Sequence, residues 1–388
     1  MSVPKLRFKE FDGDWSNKKI GNIASKVGSG STPRGGAEAY TDHGIIFIRS
    51  QNVNNDQLLL DDVAYIPEET HVKMSGSKVI ANDILLNITG ASIGRSCVVP
   101  HDFTEANVNQ HVCIIRTPND DPIFVQSFLS SENGQNAIQS KQAGGGREGL
   151  NFQAIRSIDF HFPPSKEEQA KIASFLSNVD EKISLLTQKH ELLSQYKQGM
   201  MQKLFSQQIR FKADDGSEFG EWEDKKLGDI CSHFQSGKTI TSATISDNGA
   251  YPVFGGNGLR GFTDTYTHDG IFALIGRQGA LCGNINLVQG ENFISEHAIA
   301  VQANQESSTQ WLAMWLDFMQ LNRFSESSAQ AGLAVNKLVK FDIKVPCLEE
   351  QTKIANFLSA IDQKIEVVAQ QIEQAKTWKK GLLQQMFV

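Results

Sequence analysis

At 388 residues, with 40% hydrophobic and 21% charged side chains, the chain is long enough for two or more domains with their own cores. Its formal charge of −7 argues against a free-standing nucleic-acid binder with a broad basic footprint, so any such surface must be local or supplied by partners. No apolar run approaches the roughly 18 residues of a membrane span, the start MSVPKLRFKEFDGDW has no signal-peptide core, and five scattered cysteines form no CxxC pair; a cytoplasmic protein without zinc or disulfides is expected.

The chain opens with Phe11-Asp-Gly-Asp-Trp15 followed by Lys18-Lys19-Ile20-Gly21. Short apolar runs at 44–49, 79–80, 83–88, 97–99 and 111–115, cut by Gly, Asn and Asp, read as strands of a β-rich domain over residues 1–163. A helix is expected over Pro122–Ser130. The segment HFPPS excludes helix immediately upstream of it, and a long helix then fills residues 164–208, with Glu167-Glu168 complementing its dipole. Ile172, Leu176, Val179, Ile183, Leu186, Leu193, Met200 and Leu204 follow a four-three spacing broken only by His190 and Lys197. That spacing marks a helix with one apolar seam, as in a coiled coil.

The unit is then written again. Phe219-Gly-Glu-Trp222 and Lys225-Lys226-Leu227-Gly228 repeat the opening, and Ser236-Gly237 answers Ser29-Gly30. Strands are expected at 251–254, 270–275, 285–288 and 298–301, and a helix over Thr309–Phe318, within a second domain spanning 209–345. Gly332-Leu333 and Asp342-Ile343-Lys344-Val345-Pro346 match Gly149-Leu150 and Asp159-Phe160-His161-Phe162-Pro163. In the last helix, over 346–388, the seam returns at Ile354, Leu358, Ile361, Ile365, Val368, Ile372, Ala375, Leu382 and Met386, each 182 residues after its counterpart. The two helices are expected to pair with each other, giving an α+β chain of two β-rich domains separated by an antiparallel coiled coil. The helical segments repeat closely while the globular parts diverge, as a shared frame carrying two different readers would.

The doubled Trp-x-x-x-x-Leu/Ile-Gly entry, the Gly-rich turn Asn87-Ile-Thr-Gly-Ala-Ser-Ile-Gly94 and the doubled Glu-Glu-Gln-x-Lys-Ile-Ala-x-Phe-Leu run together resemble the specificity subunit of type I restriction–modification enzymes, over the whole chain. The resemblance implies two target-recognition domains, each reading half of a bipartite site in double-stranded DNA, with the helix pair as spacer. It further implies two methyltransferase subunits on that spacer, joined by restriction and translocation subunits. Chemistry using S-adenosylmethionine, ATP and Mg²⁺ would then lie in those partners, with no cofactor in this chain.

Catalytic patterns are sought and not found. Phe254-Gly-Gly-Asn-Gly258 matches a methyltransferase cofactor loop, but LRGFTDTYTHDG after it cannot continue as the helix such a loop needs, so a turn is expected. An (Asn/Asp)-Pro-Pro-aromatic loop is missing, Ala143-Gly-Gly-Gly-Arg147 lacks a P-loop ending, and Ser295-Glu296-His297 is no metal motif. Recognition chemistry remains: Arg and Lys suit guanine or phosphate, Asn and Gln suit adenine. Candidate DNA contacts are Arg34, Arg49, Gln51, Asn52, Lys141 and Arg147 in the first domain, and Lys238, Asn257, Arg260, Arg277 and Gln278 in the second. A merely solvated loop competes at every one of them. Phe175, Tyr196, Phe357 and Trp378 lie off the seam, either as partner surface or as caps on the domains. Two other classes stay open: a non-catalytic two-module carbohydrate- or peptide-binding stalk, which the acidic charge favours, and a self-contained DNA methyltransferase, which the absent loop disfavours.

Overall fold

The computed structural model describes residues 3–142, 149–279, 281–325 and 332–387. The first domain contains strands β1 (Ser16–Lys19), β2 (Lys26–Ser29), β3 (Ile45–Ile48), β4 (Val53–Asn54), β5 (Gln57–Leu58), β6 (Ala64–Ile66), β7 (Lys78–Val79), β8 (Ile84–Asn87), β9 (Ser96–Val98), β10 (Ala106–Val108), β11 (Val112–Arg116) and β12 (Asp159–Phe162). Its helices are α1 (Ile20–Ile23), α2 (Glu68–Lys73), α3 (Pro122–Ser130), α4 (Glu132–Ser140) and α5 (Phe152–Arg156), and α6 (Lys166–Phe205) follows. The second domain has β13 (Glu223–Lys226), β14 (Cys231–Ser236), β15 (Tyr251–Gly255), β16 (Gly258–Thr263), β17 (Ile271–Gly276), β18 (Ile285–Gln289), β19 (Phe293–Ile294), β20 (Ala298–Ala303) and β21 (Asp342–Val345), with α7 (Thr309–Phe318) and α8 (Val335–Leu338). Helix α9 (Leu348–Met386) comes last.

The repeat seen in the sequence is a repeat of topology. One sheet runs β2-β11-β8-β9 in the first domain and β14-β20-β17-β18 in the second. A second sheet pairs β3 with β10 in parallel, as β15 pairs with β19, and adds an antiparallel strand beside the first of these, β6 or β16. Each domain is closed by a two-stranded ribbon joining its ends, β1 with β12 and β13 with β21. These ribbon strands are largely polar (Ser16-Asn-Lys-Lys19, Glu223-Asp-Lys-Lys226), so only their distant partners make them strands.

The central strand of each domain is apolar on both faces because it lies between two layers. In β8, Ile84 and Leu86 face a core shared with Phe124, Val125 and Phe128 of α3, while Leu85 faces the second sheet through Val108 and Ile48. In β17, Ala273 and Ile275 take the first role and Phe272 and Leu274 the second. Helix α3 starts where its sequence dictates: Asp121 caps it by accepting from the backbone N–H groups of Ile123 and Phe124, and Pro122 occupies its first turn. Ser308 caps α7 in the same way through the Trp311 N–H. Both helices occupy the residues expected of them.

By contacts the chain divides into two compact units, Met1–Thr187 with Gln370–Val388, and Gln188–Ala369. Each unit therefore holds one β-rich domain, part of α6 and part of α9. In the first, Phe175 and Trp378 meet edge to face at 6.0 Å, and the start of α6 shares a core with Leu382, Leu383, Met386 and Phe387 at the end of α9. In the second, Met201, Leu204 and Phe205 at the end of α6 share a core with Ile354, Leu358 and Ile361 at the start of α9. The two helices run antiparallel.

Along the expected seam, Ile172, Leu176, Val179, Ile354, Leu358, Ile361 and Val368 are buried, and Ile183, Leu186 and Ile365 are half-buried. The seam does more than pair two helices. Towards the starts of α6 and α9 it sinks into the core of the adjoining domain, where complete burial of a Leu such as Leu176 stabilises by about 1.5–3 kcal/mol. The lysines that interrupt it are paired: Lys197 Nζ lies 2.6 Å from Asp362, and Lys379 Nζ, at the equivalent position, lies 2.6 Å from Asp180. A charge placed on an otherwise apolar seam fixes register, because a slipped pairing would strand it.

Candidate nucleic-acid interface

Each domain is bolted to its long helix by the Glu-Glu-Gln motif. Ser165 Oγ accepts from the Glu168 N–H and opens α6. That turn leaves the Glu168 side chain 1% exposed. Its carboxylate takes Arg7 Nε and Nη2 at 2.7 and 2.8 Å and the Trp15 indole N–H at 3.2 Å. Glu350 does the same with Arg210 at 3.1 and 2.7 Å and Trp222 at 3.1 Å. The hydrogen bonds to these carboxylates hold the Arg7 and Arg210 guanidiniums more firmly charged than usual. Gln169 accepts from the Asp121 N–H and Gln351 from the Ser308 N–H, so the next residue of the motif secures α3 or α7. Phe8 packs on Phe175 and Phe211 on Phe357, edge to face at 5.7 and 5.6 Å. The expected role of these acids, complementing the helix dipole, describes the lesser part of what they do. The repeat Leu6-Arg7-Phe8-Lys9 and Ile209-Arg210-Phe211-Lys212 was in the sequence to be found and signals this joint.

With the joint fixed, the strand ends on one side of each domain form a tip of the same construction. The Asn109 N–H donates to Ile48 O at 3.0 Å, as Ser295 N–H does to Phe254 O at 2.8 Å. Ile88 N–H donates to His111 O and Arg277 N–H to His297 O, both at 3.0 Å. Leu150 N–H then donates to Ile88 O, and Leu333 N–H to Arg277 O. Thr89 bridges to Gly149 and Gln278 to Gly332, which gives the repeated Gly-Leu pair its place. The repeated Ser-Gly pair ends β2 and β14 where no side chain fits: a Cβ on Gly30 would lie 1.7 Å from Val108 O, and one on Gly237 2.3 Å from both Ile294 O and Ser295 O.

The side chains on the two tips differ. On the second, the Lys238 backbone bridges to Ser295, Arg260 Nη1 lies 3.4 Å from Ser295 Oγ, and Arg277 and exposed Gln278 follow β17. Asn257 is exposed in the tight turn joining β15 to β16, so Phe254–Gly258 is a hairpin turn, as expected. The Ser295-Glu296-His297 turn, set aside as a metal motif, sits among these cations. Its Glu296 is a carboxylate of the type that accepts from cytosine N4. On the first tip, Thr32 Oγ1 donates to Gln110 Oε1 at 2.6 Å, Gln110 Nε2 meets His111 Nε2 at 3.0 Å, and His111 Nδ1 meets Thr89 Oγ1 at 2.6 Å. Arg49 leaves β3 here, with Nη2 at 3.9 Å from Asp62. Gln51 is exposed and donates to Asp62 at 3.0 Å.

Not every candidate reaches a tip. Asn52 is 2% exposed and spent internally, accepting from the Arg49 N–H and donating to Leu59 O and Asp62 O, so it shapes the loop and offers nothing to a ligand. Lys141 caps the end of α4, and Arg34 is exposed in the β2–β3 loop beyond Thr32. Arg147 and the glycine run before it lie outside the described residues, as do residues 326–331. Among the described residues, no cluster of His, Cys, Asp or Glu is placed to hold a metal, and no helix is long and apolar enough to cross a membrane.

The family model described as "Type I restriction modification DNA specificity domain" matches residues 12–195 and again 220–377, one copy for each domain with its helix. The type I restriction enzyme EcoprrI specificity subunit of Escherichia coli is 35% identical over 208 residues, about half of each chain (52% of this one, 51% of the other). The putative MjaX specificity subunit of Methanocaldococcus jannaschii is 22% identical over 98% of this chain and 94% of its own. Among solved structures, the S subunit of a type I restriction–modification system from M. genitalium superposes with a TM-score of 0.68 at 18% identity, covering 100% of this chain and 99% of that one.

Proposed function

Because this chain belongs to the type I restriction–modification DNA specificity family, we propose that it is the subunit that selects the DNA sequence on which its partners act. Each domain reads one block of a bipartite duplex site, and the antiparallel helices fix the number of unread base pairs between the blocks. The observation that carries this reading is the pair of tips: one backbone frame built twice, with His111, Gln110 and Thr89 on one and Lys238, Arg260, Arg277, Gln278 and His297 on the other. The family match over both halves of the chain leaves a carbohydrate- or peptide-binding stalk and a self-contained methyltransferase without support. The second domain is acidic overall, and Arg260 and Arg277 beside the 295–297 turn are the local positive charge this reading requires.

Methylation with S-adenosylmethionine, and cleavage with ATP and Mg²⁺, belong in this reading to partner subunits. Two methyltransferase subunits dock on the helices, where Leu185, Leu192, Tyr196, Val367 and Trp378 remain 48–58% exposed. Large apolar side chains left in solvent are available to cover a partner. The spacing claim is tested by inserting one heptad into both helices, after Thr187 and after Ala369, which preserves the seam and adds about 10 Å. Sequencing of methylated bases in cells carrying the variant should show the same two blocks with about three more unread base pairs between them, at about 3.4 Å per pair. Unchanged spacing would contradict the helices' role as a ruler.

A further inference from the structure

We propose that Lys379, on α9, is a positioning residue for base reading by the first domain, holding the β4–β5 hairpin into which Arg49 and Gln51 lead. The inference rests on the specificity reading above and adds to it a route from helix to reading edge.

The β4–β5 hairpin turns through two residues, Asn55 and Asp56, both left-handed at φ +52 and +61. A two-residue turn of this hand needs positive φ at both positions, and Asn and Asp tolerate it best after Gly. The Asp56 carboxylate at its point accepts three hydrogen bonds. Oδ1 accepts from Gln126 Nε2 at 2.9 Å and Ser130 Oγ at 2.5 Å, both on α3, and Oδ2 accepts from Lys379 Nζ at 2.8 Å. Lys379 in turn reaches Asp180 on α6, and its side chain is 13% exposed. Burial alone would favour the neutral amine, but the two carboxylates outweigh it and raise the lysine's affinity for its proton.

The other end of the hairpin leads back to the tip. Asn52, just before β4, holds the Arg49 N–H, and Asn87 Nδ2 donates to Ser50 O at 2.9 Å and Val53 O at 3.3 Å. The path from Arg49 to Asp56 is thus pinned at three places, and Lys379 supplies the one that comes from the long helices. The second domain provides an internal control. Lys197 makes the equivalent ion pair with Asp362, but β15 turns straight into β16 through Gly256 and Asn257, with no inserted segment like β4–β5 for the lysine to hold.

The test uses the chain in complex with its methyltransferase subunits, assayed on DNA libraries randomised in one block at a time. Lys379→Met and Asp56→Asn should each weaken preference for the native first block about tenfold, the factor corresponding to 1.4 kcal/mol, and leave the second block alone. Asp56→Asn retains an acceptor for Gln126 and Ser130, so it isolates the lysine's contribution. Lys379→Arg should restore the preference, and Lys197→Met should leave first-block reading intact. Equal weakening of both blocks, or an unchanged first block with folding preserved, overturns the assignment. A wild-type complex that methylates no bipartite site would instead overturn the specificity reading on which it rests.

Discussion

Glu168→Ala and Glu350→Ala are each expected to destabilise the unit that contains them by about 3–5 kcal/mol, the range for removing one partner of a buried ion pair. Each carboxylate is 1% exposed and satisfies a guanidinium through two bonds and an indole N–H through a third. Removing it leaves half-buried Arg7 or Arg210 without its counter-charge, and the indole of Trp15 or Trp222 without an acceptor in the core. The same change frees the segment leading into β1 or β13 from the helix, so the closing ribbon should fray with it. Chemical denaturation followed by tryptophan fluorescence measures the loss, and limited proteolysis near residues 7–15 or 210–222 locates it. A change below about 1 kcal/mol in both variants would reduce the joint to an ordinary surface ion pair.

Gly30→Ala and Gly237→Ala are expected to cost about 3 kcal/mol or more, the upper end of overpacking penalties. The obstacle in each case is a carbonyl oxygen of the neighbouring strand, at 1.7 Å from the Gly30 Cβ position and 2.3 Å from that of Gly237. No rotamer change relieves a clash with backbone, so the strand end must move, and the turn at 108–111 or 294–297 must move with it. On the proposed function, the first variant loses methylation that depends on one block and the second that depends on the other. Gly28→Ala is the control within the same strand, because nothing lies within 4 Å of its Cβ position. If Gly28→Ala and Gly30→Ala unfold at the same denaturant concentration, close approach does not explain the glycine.

The fold was legible in outline because its scaffold repeats at long range. A seam returning after 182 residues, and helices at Pro122–Ser130 and Thr309–Phe318 opened by capping residues, are local signals that tertiary packing then reinforces. The strands that escaped notice, such as β1, β13 and β16, carry charged or glycine-rich sequences and owe their form to partners far along the chain. The site was legible in composition more than in geometry. Lys238, Arg260, Arg277 and Gln278 were named loop by loop; that their segments meet around residues 295–297 was not visible in the sequence. Asn52 turns inward because a side-chain amide can serve backbone as readily as a ligand, and single-residue chemistry does not distinguish the two. Glu168 and Glu350 were visible as helix-start acids; their burial depended on arginines more than a hundred residues away in sequence.

The bonds that define the two tips run between main-chain atoms: Asn109 to Ile48 and Ser295 to Phe254, Ile88 to His111 and Arg277 to His297. A peptide N–H is the same whether its residue is Asn or Ser, Ile or Arg. The frame is therefore indifferent to what its outward positions display, and Thr89, Gln110, His111, Gln278, Glu296 and His297, none of them buried, can exchange side chains without dismantling the edge that presents them. On the proposed function, substitutions confined to those outward positions change what each edge reads, while the glycines and carboxylates beneath stay as they are.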